Sequence, residues 1–102
     1  MIKPRGIYVA TAFSPNNDGI NDYLFVQAHN KDDLKVVLFQ IYNRWGELVY
    51  ETTDVLPNDP QSGWNGEMNA QKMNGAVYSW LVEVEFQDGE RRTFKGNSTM
   101  VR

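Results

Sequence analysis

Along residues 76–87 the large apolar side chains recur at every second position: Tyr78, Trp80, Val82, Val84 and Phe86. A period of two is that of an extended strand, so these five share one face while Ser79, Glu83 and Glu85 point the other way. A helix would scatter the same residues around its axis. The stretch therefore reads as a half-buried, central strand, and the rest of the chain has to supply its neighbours.

Those neighbours are legible as short runs rich in Val, Ile, Tyr, Phe, Trp and Thr, set between clusters of Gly, Asn, Asp and Pro. They fall at residues 7–12, 23–27, 35–42, 47–51 and 90–101. In the third run Val37, Phe39 and Ile41 form one apolar row, and Val36, Leu38 and Tyr42 form a second. Cover on both faces points to two packed sheets rather than one. Gly96 interrupts the last run and is expected to mark a bulge or break there.

Asn43-Arg44-Trp45-Gly46 lies between two strand-like runs and reads as a tight hairpin loop, with Gly46 free to take a left-handed conformation. Gln87-Asp88-Gly89-Glu90 reads the same way, its Asp-Gly pair favouring a type I′ turn. Residues 28–33 form a polar link. Residues 52–74, with Pro57, Pro60, Gly63 and Gly66, form a long irregular connection holding one short helix or strand. No internal repeat or low-complexity segment is visible.

With 102 residues, 41% of them hydrophobic, the chain can build one core but not two. Ten basic against thirteen acidic residues give a net charge of -3. Apart from Arg91-Arg92 and Arg102 the cations are scattered, which argues against nucleic acid as a partner. There is no cysteine, so disulfides, zinc thiolates and thiol nucleophiles are excluded and packing must supply the stability. No apolar run approaches the roughly 20 residues of a membrane-spanning helix. The run after Lys3 and Arg5 is broken by Thr11, Ser14 and Pro15, too early for a signal-peptide core. Residues 1–6 are read as an N-terminal tail or cloning remnant, and residues 7–102 as a single domain.

Four separated blocks carry a family resemblance: residues 12–22, Ala-Phe-Ser-Pro-Asn-Asn-Asp-Gly-Ile-Asn-Asp; residues 41–51, Ile-Tyr-Asn-Arg-Trp-Gly-Glu-Leu-Val-Tyr-Glu; Trp64-Asn65-Gly66; and Asn74-Gly75-Ala76-Val77-Tyr78 with Lys95-Gly96 and Met100-Val101-Arg102. In order and spacing the chain resembles the gliding motility-associated C-terminal domains, the type B sorting domains of the type IX secretion system of Bacteroidota. It departs from them at Asn17, commonly Gly; at Asn65, commonly Asp; and at Met73-Asn74, commonly Pro-Ala.

The resemblance implies a module that directs a larger exported protein, its cargo region lying N-terminal in the same polypeptide, across the periplasm and outer membrane to the cell surface or outside. Recognition would fall to translocon components or to an outer-membrane partner protein. The expected fold is all-β, an immunoglobulin-like antiparallel β-sandwich of about seven strands.

Individual side chains sharpen these expectations. Ser14, Asn16, Asp18, Ile20 and Asp22 fall at the alternating offsets of a calcium loop around Gly19, although Phe25 stands where the bidentate Glu belongs. The competing reading is a turn in which Asn and Asp side chains satisfy backbone amides. Apart from that possible calcium, no cofactor is expected.

Asn43, Arg44, Trp45 and Gly46 at a hairpin tip, and Lys95, Gly96, Met100, Val101 and Arg102 in the last strand, are the candidate partner-recognition residues. Arg and Trp are favoured interface anchors, and an edge strand can extend a partner's sheet; Trp45 folded back over the sandwich, or a last strand paired internally, are the alternatives. Trp64, Trp80 and the tyrosines would have to form an exposed row for a carbohydrate-binding or adhesive surface, the runner-up function; Trp80 is expected in the core. Glu83 and Glu85 read as a solvated face rather than a catalytic pair. His29, the only histidine, reads as a solvated loop residue. With no nucleophile elbow and no cysteine, enzymatic activity is not expected.

Overall fold

A computed structural model of the chain describes residues 7–16, 19, 22–29, 32, 34–68 and 71–101. Its strands are β1 (Ile7–Val9), β2 (Ala12–Phe13), β3 (Val26–Ala28), β4 (Leu34–Tyr42), β5 (Leu48–Val55), β6 (Glu67–Met68), β7 (Gln71–Lys72), β8 (Val77–Phe86) and β9 (Arg91–Met100). The expected all-β sandwich is what forms. Strands of two or three residues bring the described count to nine rather than about seven.

Five strands make the main sheet in the order β2-β9-β8-β4-β5. All its pairings are antiparallel except β2 with β9, where Ala12 and Phe13 run parallel to Thr99 and Met100. The β1–β3 pair and an isolated bridge between Leu24 and Trp64 pack against its inner face, and the β6–β7 hairpin follows from that bridge.

The alternation of β8 is realised: Tyr78, Val82, Val84 and Phe86 are buried on the inner face. In β4 the inner row changes parity. Leu34 and Val36 are buried, then Phe39 and Ile41, because the register against β8 slips by one residue between Val36 and Leu38. A bulge inserts one residue and so moves every later side chain to the other face. The two apolar rows of the sequence are thus one inward row joined across a bulge. A second slip, between Ile41 and Tyr42 against β5, lets both Val49 and Tyr50 pack on the core.

Gly96 does not break β9. The β8–β9 register runs without a shift from Val77–Thr99 to Glu85–Arg91. Gly96 lies opposite Trp80, and a Cβ there would come within 2.4 Å of the indole Cζ2. The missing side chain makes room for the half-buried Trp80 ring to cross β9, where its N–H donates to Ser98 Oγ at 3.1 Å. The Ser98 hydroxyl in turn donates to the Ala10 carbonyl, tying β9 to the start of the chain.

Both hairpin turns close alike. In residues 86–90, Phe86 N–H bonds to Glu90 O and Gly89 N–H to Phe86 O; in residues 43–47, Asn43 N–H bonds to Glu47 O and Gly46 N–H to Asn43 O. Gly89 and Gly46 have φ of 88° and 81°, and neither Gln87 nor Asp88 has positive φ. The Asp-Gly turn is therefore a three-residue loop ending in a left-handed glycine, not the expected type I′ turn, which needs two positive φ values.

The long connection after β5 is held by polar contacts. Asp59 caps a 3₁₀ turn at Pro60–Ser62, accepting from Gln61 N at 3.0 Å. Asn58 exchanges two side-chain bonds with the Ala28 backbone. Tyr50 donates its hydroxyl to Ser62 O at 3.0 Å.

Candidate recognition site at one end of the sandwich

Register decides which loops meet. Tyr42 lies opposite Ser79, Val77 opposite Thr99, and Phe13 beside Met100. The 43–47 hairpin, the 73–76 link, the end of β9 and the segment after β2 therefore leave the main sheet at the same end. Described parts of three of the four blocks that carry the family resemblance converge there: Phe13, the 43–47 hairpin, and residues 74–78 with Met100 and Val101. The fourth, Trp64-Asn65-Gly66, lies beneath.

The hairpin is rigid by construction. Asn43 Oδ1 accepts from the backbone N–H of Trp45 at 2.9 Å and of Glu47 at 3.0 Å, and its Nδ2 donates to Glu47 Oε1 at 3.1 Å. On this frame the Arg44 guanidinium stacks 4.3 Å from the Trp45 ring centroid. Trp45 does not fold back over the sandwich: it is 71% exposed. At an exposed site such a cation–π pair contributes about 0.5–1 kcal/mol, enough to bias its geometry but not to hold a fold.

Beside the stack, a cleft of 140 Å³ runs between the hairpin and the 73–78 segment, with Met73, Ala76, Val77 and Tyr78 on its far wall. Val77, 52% exposed, and Val101, 53% exposed, add apolar surface at this end. Nothing in the sequence reading singled out Val77. The available signal was an apolar residue at an odd position of a strand whose odd positions are otherwise largely polar.

The remaining candidates divide between packing and surface. Met100 is buried and its N–H bonds to Ala76 O, so it anchors the end of β9 from inside. Gly96 lies under Trp80. Lys95 is exposed in mid-strand opposite Leu81. Arg102 lies outside the described residues.

In the candidate calcium loop, Asp18 and Ile20 also lie outside the described residues. Asp22 spends both oxygens on backbone amides, accepting from Asn16 N at 3.2 Å and Gly19 N at 2.8 Å, and Asn16 N–H also lies 2.9 Å from Ser14 O. That is the geometry of a loop closed by its own acid. Among the described residues no group of three acidic or His side chains comes together to hold a metal.

Trp64 is a core residue. It is 1% exposed, packs against Phe13 and Tyr78 at ring-centroid distances of 5.8 and 4.9 Å, and donates its indole N–H to Glu67 O at 2.8 Å. Asn65 Oδ1 accepts from Glu67 N, a task that the Asp common in the family performs equally well. Tyr78 donates to Asn74 O at 2.7 Å, pinning the 74–78 block to its own start.

The exposed described aromatics are Tyr8 and Trp45, on different elements, so the aromatic row required by a carbohydrate-binding surface is not formed by them. Glu83 and Glu85 lie 3.3 and 3.8 Å from Arg91. His29 is exposed. The Tyr50 pKa is raised above the usual tyrosine value by burial and lowered in smaller part by a hydrogen bond with Thr52.

No helix of the described chain is long and apolar enough to cross a membrane. No curated protein matches the chain in sequence. A family model does: CHU_C, a Type IX secretion signal domain, matches residues 7–100, nearly the whole chain. It is a family of secretion signals, with no enzymatic activity known for it. A β-sandwich whose family blocks gather at one end, matched from its first described strand to its last, belongs to the CHU_C type IX secretion signal domains and acts as a sorting signal that sends the polypeptide bearing it through that system to the cell surface or outside.

Proposed function

We propose that the secretion machinery recognises this domain through the end of the sandwich that carries the 43–47 hairpin. The receiving surface belongs to a translocon component or to an outer-membrane partner protein, met from the periplasmic side with the cargo region attached ahead of the domain. The domain itself performs no chemistry and binds by shape and charge. One observation carries the reading: a Trp–Arg stack is held out in solvent on a turn whose backbone needs only Asn43 and Gly46 to close.

An exposed Trp is poor surface for a free monomer and good surface for a docked one, since burying an aromatic anchor with an adjacent Arg supplies much of the energy of a protein interface. Val77 and Val101 extend the apolar patch, with Asn43 fixing the direction in which the stack points. The reading does not call on calcium.

The test is export of a fluorescent cargo fused ahead of the whole chain, in a type IX-competent bacterium and in a secretion-deficient strain. The intact fusion is expected outside only in the competent strain, and Trp45→Ala is expected to reduce export about tenfold or more, since hot-spot truncations cost 2 kcal/mol or more in binding. Full export of a folded Trp45→Ala fusion would remove the hairpin from the recognition surface.

A further inference from the structure

We propose that the outer edge of β9 is a strand-addition site, at which Arg91, Thr93, Lys95 and Asn97 pair through their backbones with an extended strand of the receiving protein that carries carboxylates at alternate positions. This rests on the reading that the secretion machinery recognises the domain by protein contact, and it adds a second, backbone-directed contact to the hairpin.

The hydrogen-bond phase of β9 places these four residues. Phe86 N–H bonds to Glu90 O and Met100 N–H to Ala76 O, so the even-numbered residues of β9 turn their backbone groups toward β8. In an antiparallel pair the intervening residues then turn theirs away. At the end of the strand those outward groups are used: Thr99 N–H bonds to Thr11 O at 2.8 Å and Val101 N–H to Phe13 O at 2.9 Å. β2 is only two residues long, and among the described residues no strand pairs with Arg91 to Asn97 on that side. All four outward residues are exposed.

The other edge of the sheet is built differently. β5 carries a register slip beside Val49 and a left-handed residue, Asp54 at φ 54°, both of which spoil a straight template. Bulges and twists of this kind are how sheets blunt their edges. β9 has neither over its whole register with β8.

Charge selects the occupant. Three of the ten cations of this net acidic chain, Arg91, Arg92 and Lys95, fall within five residues of the edge. Arg91 sits by Glu83 and Glu85, and Arg92 lies 3.0 Å from Glu90, but Lys95 faces Leu81 across the ladder and makes no ion pair among the described residues. A second copy of β9 would bring the same three cations against these, whereas an acidic strand satisfies Lys95 directly.

Thr93→Pro removes one outward N–H and no bond to β8, a substitution that edge strands tolerate. Lys95→Glu reverses the charge at residue 95, and Thr93→Val keeps the N–H as a control. In the cargo-fusion export assay, Thr93→Pro and Lys95→Glu are each expected to lower export at least tenfold with an unchanged circular dichroism spectrum, and Thr93→Val to export normally. If Thr93→Pro unfolds, Lys95→Glu decides alone.

Export of folded Thr93→Pro and Lys95→Glu at the intact level overturns the strand-addition site and leaves the sorting role standing. Sedimentation of the intact chain as a dimer, with Thr93→Pro a monomer, also overturns it by making the occupant a second copy. An intact fusion that stays inside competent cells overturns the recognition reading, and this inference with it.

Discussion

The hairpins at residues 43–47 and 86–90 close with the same pair of backbone hydrogen bonds and end in glycines at nearly the same φ, 81° and 88°. What they carry differs. Positions two and three of the first are Arg44 and Trp45, stacked and solvent-facing; in the second they are Gln87 and Asp88, the latter spending a carboxylate oxygen on Glu90 N–H at 3.0 Å. Since the turn is the same with either pair, neither Arg nor Trp is there to make it. The side chains at residues 44 and 45 are free variables of the fold, and an exposed Trp occupying one of them is explained by what it meets rather than by what it holds together.

That comparison can be broken first with the tryptophans. Trp64→Ala empties the core between Phe13 and Tyr78 and is expected to cost about 3–5 kcal/mol. Trp45→Ala is expected to change stability by no more than about 0.5 kcal/mol, as for other surface sites. Urea titration of both variants measures the contrast, and a Trp45→Ala loss beyond about 1.5 kcal/mol would show that the hairpin tip supports the fold after all.

The two glycines give a narrower test. Gly46→Ala and Gly89→Ala each force a side chain into the left-handed region at about 1–2 kcal/mol. No atom lies within 4 Å of a Cβ built at either position. The two costs are therefore expected to agree, and midpoints that differ widely would mean that the turns are not equivalent. Smaller still is the cost of Asn43→Ala, about 1 kcal/mol, because its side chain bonds two backbone amides in the manner of a helix cap. Asp88→Ala, which loses the bond from Glu90 N–H, is expected to cost a similar amount, about 1 kcal/mol, in the same titration.

The smallest effect is in pH. The folded-state pKa of Tyr50 is raised, chiefly by burial. Its contribution is therefore complete below the unfolded tyrosine value near 10 and is lost as pH rises through the folded value. Stability curves in the alkaline range are expected to flatten in Tyr50→Phe; curves that fall as steeply as in the intact chain would assign the loss to other groups.

Much of the main sheet was legible because Tyr78, Val82, Val84 and Phe86 mark one buried row along β8, to which its neighbours could be matched. β4 was harder. Its bulge beside Val37 changes parity mid-strand, which in sequence looks like apolar cover on both faces. Asp88-Gly89 suits a type I′ turn and also a longer loop with a left-handed glycine, and residue preference alone does not count the loop. Gly96 was read as an interruption because what it accommodates, the Trp80 ring, is a cross-strand neighbour sixteen positions away in the chain.

At the candidate site, the hairpin was legible from Asn43 and Gly46, but the exposure of Trp45 was not. A Trp beside a turn can fold inward or outward with the same sequence. Val77 stands in the 74–78 block but not among the candidate recognition residues, since only the register brings that link beside the hairpin.

The most direct test of the recognition claim is an exchange between the two turns, measured as export of the fused cargo. Arg44→Gln with Trp45→Asp gives the first hairpin the residues of the second and is expected to leave the melting temperature nearly unchanged while export falls about tenfold or more, as loss of a hot spot worth 2 kcal/mol implies. Gln87→Arg with Asp88→Trp in the other hairpin is expected to leave export as it was. Normal export from the folded first exchange would contradict the account, since it would show that the side chains freed by the turn are not what the secretion machinery reads.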